Sequence, residues 1–307
     1  MSRFDEHLAD YLATRRGHGY KLDSLGLLNK SFLAWLDTQN RESFTVADAV
    51  SWAMACPTPS RSRWATRLGA VRTFAAWLQA SGITGVEVPP ARLLACPSKR
   101  ATPYMYSATD TARLIGACPD VFLNKSVAST MATLIGLLAV TGIRIGEALA
   151  LVHGHLDQRA GVLTVYSTKT GQTRILPLHP TTVAELARYL DTPSRRQFPR
   201  RVNDPIFVNT IGHPVGYTTV QENFRKLITK VDLPDQTPAR PRIHDLRHSF
   251  ATNAMTTAYR DGTDPARTLS LLSTWLGHHN PAATYWYLTA APQLLAHAAD
   301  RLEKDQT

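Results

Sequence analysis

Cysteine is scarce in this chain: Cys56, Cys96 and Cys118 are the only three among 307 residues. An odd, scattered set of three excludes a disulfide framework and a cysteine-built zinc site, and it fits reduced thiols. Long apolar runs are missing too. The longest, from Met131 to Ile143, falls short of the roughly 20 residues that span a bilayer and reads as a buried core helix. The stretch from Met1 to Tyr11 holds Arg3, Asp5, Glu6, His7 and Asp10, which excludes a secretory signal pattern and makes the cytoplasm the expected location. Acids are in deficit, with 24 Asp and Glu against 34 Lys and Arg and a formal charge of +10. A polyanionic partner is the simplest reason to tolerate such self-repulsion, nucleic acid ahead of an anionic membrane. The sequence has no internal repeat and no low-complexity tract. What is left is an ordinary globular chain, 44% hydrophobic and long enough for two domains.

Residues 1–88 read as helical throughout. Phe4, Leu8 and Tyr11 or Leu12 mark one apolar stripe, and Leu25, Leu28, Phe32 and Leu36 another. Thr45-Val46-Ala47-Asp48 has the form of a capping box, so a helix starts there. Over Arg61 to Ala80, Trp64, Leu68, Val71, Ala75 and Leu78 share a face, while Arg63 and Arg67 lie a turn apart on another. With Arg61, these arginines are candidates for contact with a DNA backbone; the alternative is a solvated charged face. Residues 89–106 carry Pro89, Pro90, Pro97 and Pro103 together with Lys99 and Arg100. No helix survives that proline density, so the segment reads as a linker whose two cations are further DNA-binding candidates. Ser107-Ala108-Thr109-Asp110 repeats the capping-box form and opens a second domain, 107–307.

In that domain, the apolar run to Val140 ends at Thr141-Gly142, and a new helix spans Ile145 to Val152, with Arg144 at the junction. Val162 to Tyr166 and Arg174 to Leu176 read as a hairpin whose turn at Thr170-Gly171 puts Lys169 near its tip. Thr181 to Leu190 is a helix. Between Pro193 and Asp204, Arg195, Arg196, Arg200 and Arg201 suggest a mobile basic loop suited to phosphate contact.

The chemistry concentrates near the C-terminus, in His244-Asp245-Leu246-Arg247, then Trp275-Leu276-Gly277-His278, then Thr284-Tyr285-Trp286-Tyr287. Two histidines, an arginine and a tyrosine with no acidic cluster between them suit attack on a phosphodiester without a metal. In sum, Thr141-Gly142-Ile143-Arg144-Ile145-Gly146-Glu147, hairpin Lys169 ahead of Arg174 and Leu176-Pro177-Leu178, His244-x-x-Arg247, Leu276-Gly277-His278 and Tyr287, nine residues beyond His278, resemble the motifs of the tyrosine recombinases of the phage integrase family, in order. The resemblance covers nearly the whole chain. It implies a mainly α fold: a helical N-terminal core-binding domain of the SAM-like type, a linker, and a mixed α/β catalytic domain with a small antiparallel sheet. It also implies a site-specific recombinase, close to the Xer type, that cuts and rejoins DNA through a 3′-phosphotyrosyl intermediate in integration, transposition or resolution. The roles it assigns are Arg144, Lys169, His244, Arg247, His278 and Tyr287 as catalytic residues and Glu147 as supporting acid. No cofactor and no metal is expected.

Each role has a physical basis. A phosphodiester gains charge on its equatorial oxygens during in-line attack, and two rigid guanidinium forks, Arg144 and Arg247, stabilise that state. His244 and His278 add hydrogen bonds or manage a proton near neutral pH. The Tyr287 phenol is the nucleophile, and Lys169 protonates the departing 5′ oxygen. Tyr285 is a rival nucleophile, but the family offset from His278 selects Tyr287. Duller readings exist: Arg144 pairing with Glu147 one turn on, and Lys169 simply solvated. His244 and His248 at i and i+4, with Asp245 between them, mimic a zinc-hydrolase helix motif, yet Arg247 between the imidazoles would oppose a dication. A non-catalytic DNA-bridging protein with the same fold is the other alternative. After Pro292, Leu294 or Leu295, Ala298 and Leu302 form a stripe. In the resembled family such a tail, here a helix over 292–304, docks on a neighbouring subunit. The implied partners are therefore double-stranded DNA with an inverted-repeat core site and a homo- or hetero-tetrameric synapse, at the nucleoid and not at a membrane. One departure from the pattern is that the stretch between Thr252 and Leu271 is longer than the family's usual.

Overall fold

The computed structural model describes residues 3–20, 22–94, 96, 102–166, 171–235 and 240–278, and it divides into two compact units, Met1–Arg100 and Ala101–Thr307. Lys99, Arg100, Lys169, Tyr285, Tyr287 and the segment 292–304 lie outside the described residues.

The first unit is built from α1 (Asp5–Gly17), α2 (Asp23–Thr38), α3 (Val46–Met54) and α4 (Arg61–Ala80). The Thr45 capping box is formed: its N–H donates to Asp48 Oδ2 at 2.9 Å, and the Asp48 N–H returns to Thr45 Oγ1 at 3.2 Å. Ser60 caps α4 in the same way by accepting from the Arg63 N–H, which satisfies a donor that a helix start otherwise leaves orphaned. The apolar stripes meet in one core, where Phe32 stands edge-on to Phe44 and Trp52 at centroid distances of 5.1 and 5.2 Å. On α4, Arg61 and Arg63 are exposed. Arg67 is otherwise engaged: its guanidinium lies 3.7 Å over the Trp52 ring and donates to the Trp52 carbonyl at 2.7 Å. Stacking an amphipathic cation on an aromatic face covers apolar surface, so Arg67 serves packing, unlike its two neighbours.

The second unit begins with α5 (Ala108–Val121), which the Ser107–Asp110 box caps, and α6 (Lys125–Thr141), which Asn124 caps. Tyr104 and Tyr106, just before α5, are buried in this unit's core, and the Tyr106 N–H donates to Ser249 Oγ at 2.7 Å. α6 places Met131, Leu134, Ile135, Leu137 and Leu138 in the core and stops at Gly142, which sits at φ +62°. A Cβ there would come within 2.4 Å of the Phe250 ring, so both the left-handed backbone and the space demand glycine. α7 (Ile145–Leu149) is shorter than expected. The chain leaves the helix because the Leu151 carbonyl accepts from the Ile206 N–H at 2.9 Å and Val152 bridges Pro205.

Next come β1 (Leu156–Asp157), β2 (Val162–Tyr166) and β3 (Thr173–Pro177), an antiparallel sheet in the order β1-β2-β3 with Leu163 opposite Leu176 and Val165 opposite Arg174. The expected hairpin is present, and β1, too short to show a pattern, extends it. α8 (Pro180–Leu190), α9 (Pro193–Arg196), α10 (Tyr217–Ile228), α11 (Asp245–Arg260) and α12 (Pro265–Leu276) complete a mainly helical fold with one small sheet. The stretch between Thr252 and Leu271 is occupied by the end of α11, a turn at Asp261-Gly262, and the start of α12, which Asp264 caps.

The arginine-rich segment after α8 is not the open loop its composition suggests. Arg195 is 1% exposed. Its Nε donates to the Ile206 carbonyl at 3.0 Å, and Nη2 reaches the Pro205 carbonyl at 2.7 Å and His153 Nε2 at 2.8 Å. Arg200 donates to the Leu190 carbonyl and to Asp191. A guanidinium offers five donors, so one buried Arg195 can bond several loop carbonyls that would otherwise go unpaired. It is a structural hub and is not available to DNA; Arg196 stays exposed. Replacing it (Arg195→Met) should lower the unfolding free energy by about 3 kcal/mol in urea titration, with the salt dependence of DNA affinity unchanged.

Candidate active site

The end of α6 aims the first residue of the site. Gly142 ends α6 in the left-handed conformation, Ile143 anchors the chain in the core, and Arg144 is the N-cap residue just ahead of α7. Its backbone N–H donates to Glu147 Oε2 at 2.9 Å and its Nη1 to Oε1 at 2.8 Å, while Nη2 reaches the Gly277 carbonyl at 3.3 Å. The ion pair with Glu147 foreseen as the dull alternative therefore exists. It does not exhaust the side chain, which keeps 31% of its surface exposed.

Glu147 is buried and also receives Arg174, Nη2 to Oε2 at 2.8 Å and Nη1 to Oε1 at 3.2 Å. Burial alone would raise its pKa, but the bonds from Arg174 and Arg144 outweigh it and hold the carboxyl below its ordinary value. Arg247, in the first turn of α11, is 3% exposed. Its Nη1 donates to the Gly142 carbonyl and its Nη2 to the Leu276 carbonyl, both at 2.8 Å, and Nη2 also lies 2.8 Å from His278 Nε2. Those carbonyls close the C-terminal ends of α6 and α12, where partial negative charge favours a cation. Trp275 ties the same two ends together, donating from Nε1 to the Thr141 carbonyl at 2.7 Å.

α12 ends at Gly277, φ +66°, and His278 follows it. Burial first, then Arg247, Arg144 and Arg174, push the His278 imidazole down to about 4, partly offset by Glu147. His244 is the N-cap residue immediately before α11. Burial and Arg247 lower its pKa, Asp245 opposes, and Arg242 and Arg144 lower it further. Asp245 is itself occupied by Arg242, which donates to it through its backbone and side chain. His244 and His248 meet edge to face at 5.2 Å. Among the described residues no group of three His, Cys, Asp or Glu side chains is placed to hold a metal ion.

The structure therefore brings Arg144, Glu147, Arg247 and His278 to one corner of the second unit, with His244 within electrostatic reach. Two guanidinium groups, Arg144 and Arg174, share the Glu147 carboxylate there, and a third, Arg247, is bonded to main-chain carbonyls beside them. An excess of buried positive charge beside neutral imidazoles is a site prepared for an anion. Arg174 is the residue that sequence reading passed over. The signal was present: along β3, Arg174 and Leu176 point inward while Ile175 is 69% exposed, so strand alternation puts the arginine on the core side.

The sequence profile of the Phage integrase family matches residues 107–293. A Sinorhizobium fredii (strain NBRC 101917 / NGR234) protein, y4rB, an integrase/recombinase by name, is 36% identical over 99% of this chain and 98% of its own. The tyrosine recombinase XerC of Mesorhizobium japonicum (strain LMG 29417 / CECT 9101 / MAFF 303099) is 29% identical over 61% of this chain and 58% of its own. Among solved structures, the Tn1549 transposon integrase in complex with transposon right-end DNA superposes with a TM-score of 0.66 at 17% identity, covering 98% of each chain.

The buried imidazoles make stability depend on pH. His278 and His248 are each held at about 4 and His244 is also lowered, by burial above all. Unfolded, the same groups take up protons near 6.5. The unfolded chain thus binds more protons than the folded one between these values, so stability is lost as pH falls through that range. Urea midpoints should be level above about pH 6.5 and drop steadily as pH falls towards 4, with Glu147 adding to the loss lower still; a flat profile across that window would contradict the geometry.

Proposed function

The chain belongs to the Phage integrase family, and on that premise we propose that Arg144 and Arg247 grip the scissile phosphate of double-stranded DNA while Tyr287 attacks it. The chain is a tyrosine recombinase, an enzyme of site-specific DNA recombination. The observation that carries the assignment of residues is the convergence of Arg144, Arg247 and His278 on the Gly277 turn, with more guanidinium charge than carboxylate.

In this reading the Tyr287 oxygen bonds to phosphorus in line with the departing 5′ oxygen, whose bond to phosphorus breaks. Lys169 gives that oxygen its proton, and the phenol, with an ordinary pKa of about 10, loses its own as it attacks. The two arginines stabilise charge on the nonbridging oxygens more in the transition state than in the ground state. His244 and His278, neutral at pH 7, bond the same oxygens or accept the phenolic proton. One phosphate ester replaces another, so a 5′ hydroxyl of a second strand can reverse the step without ATP. Residues 1–88 grip the duplex, with Arg61 and Arg63 on the exposed side of α4, and Lys99, Arg100, Arg196, Arg200 and Arg201 add phosphate contacts. The partners are an inverted-repeat core site and three further subunits, homo- or heteromeric, linked through 292–304, acting at the nucleoid. No helix among the described residues is long and apolar enough to cross a membrane.

A duplex nicked just past the scissile phosphate loses its short 5′ fragment after cleavage and traps the covalent complex. Wild-type protein should form it, and Tyr287→Phe should form none while binding DNA normally; an adduct on the phenylalanine variant would remove Tyr287 from its role. Deleting 292–307 should reduce synapsis by at least about tenfold with duplex affinity kept, as expected of lost multivalency, and equal loss of both would count against subunit exchange.

A further inference from the structure

We infer that Arg174 is a positioning residue for the recombination chemistry: by binding Glu147 through both oxygens and lying beneath the Gly277 turn, it holds Arg144 and His278 in register. This rests on the reading of Arg144 and His278 as phosphate-gripping groups.

Glu147 accepts four hydrogen bonds, two from each of two residues. Oε1 takes Arg144 Nη1 at 2.8 Å and Arg174 Nη1 at 3.2 Å; Oε2 takes the Arg144 N–H at 2.9 Å and Arg174 Nη2 at 2.8 Å. The carboxylate is thereby locked in rotation and its charge is divided. Were Arg174 absent, the whole negative charge of Glu147 would fall on Arg144 and compete with the phosphate for it. With Arg174 present, the trio carries one net positive charge, and that surplus sits on Arg144, which is 31% exposed against 6% for Arg174. Arg174 is thus the counterion that frees Arg144 for an incoming anion.

The second contact is steric. A Cβ on Gly277 would fall 2.4 Å from Arg174 Nη1 and 3.0 Å from its Cζ, so the guanidinium fills the space directly against the turn that presents His278. Arg144 bonds the carbonyl of that same glycine. One side chain on β3 therefore touches the support of the first arginine and the support of the last histidine. Arg174 reaches this place because β3 pairs with β2 at Val165, which is fully buried.

The test is single-turnover cleavage of a nicked duplex, with duplex affinity measured separately. Arg174→Lys keeps the charge but cannot span two carboxylate oxygens. Its cleavage rate should fall by about 10- to 100-fold, the scale of a 1 Å misplacement, with affinity within about threefold. Because Arg174 acts through Arg144 and His278, adding Arg174→Lys to an Arg144→Ala/His278→Ala variant should cost no more than about threefold beyond that variant alone, a failure of additivity that general loosening of the fold would not produce. Multiplying losses, or a wild-type rate in Arg174→Lys, would overturn the inference. If Arg174→Lys does not fold, Glu147→Gln breaks the same link from its other end and must show the same split between rate and affinity; a wild-type rate there overturns it equally. Arg144→Ala cleaving at the wild-type rate would instead sink the phosphate-gripping reading itself.

Discussion

The second unit is organised around a buried carboxylate that belongs to two arginines at once. Glu147 is 5% exposed and can stay ionised only because Arg144 and Arg174 fill its acceptor positions. Removing one partner from such a pair costs about 3–5 kcal/mol, since the survivor is left charged in a poor solvent. The surrounding elements have little freedom as a result. α7 must begin where Arg144 can reach back to Glu147, β3 must turn Arg174 inward, and α12 must end in a residue without a side chain. On the proposed assignment, Arg144 and His278 gain their orientation from the scaffold before any DNA arrives, which is what electrostatic stabilisation of a transition state requires.

The legible parts of the fold were those governed by short-range rules. The capping boxes at Thr45 and Ser107, the apolar stripe of α4, the stop at Gly142 and the β2–β3 hairpin all follow from contacts within a few residues of chain. The shortening of α7 was not legible, because its cause lies more than fifty residues away, in the backbone of Pro205 and Ile206. Of the site, the motifs could be read as types and spacings, but their meeting could not: Arg247 finds its acceptors at Gly142 and Leu276, from opposite ends of the second unit's sequence. Arg174 was hidden for a different reason, since a charged residue in a strand is ordinarily taken to face solvent.

Basic residues in a DNA-acting protein invite a single interpretation, and here they divide. Arg61, Arg63 and Arg196 are exposed. Arg67 stacks on Trp52, and Arg195 closes a loop by bonding its carbonyls. Composition counts all of these alike toward the net charge of +10, although a guanidinium buried against backbone oxygens contributes to folding and not to recognition.

Arg247 is anchored by the main chain at two helix ends and is almost wholly covered. A side chain tethered at both ends in this way cannot swing, so in the proposed reading the duplex has to come to the guanidinium and not the reverse.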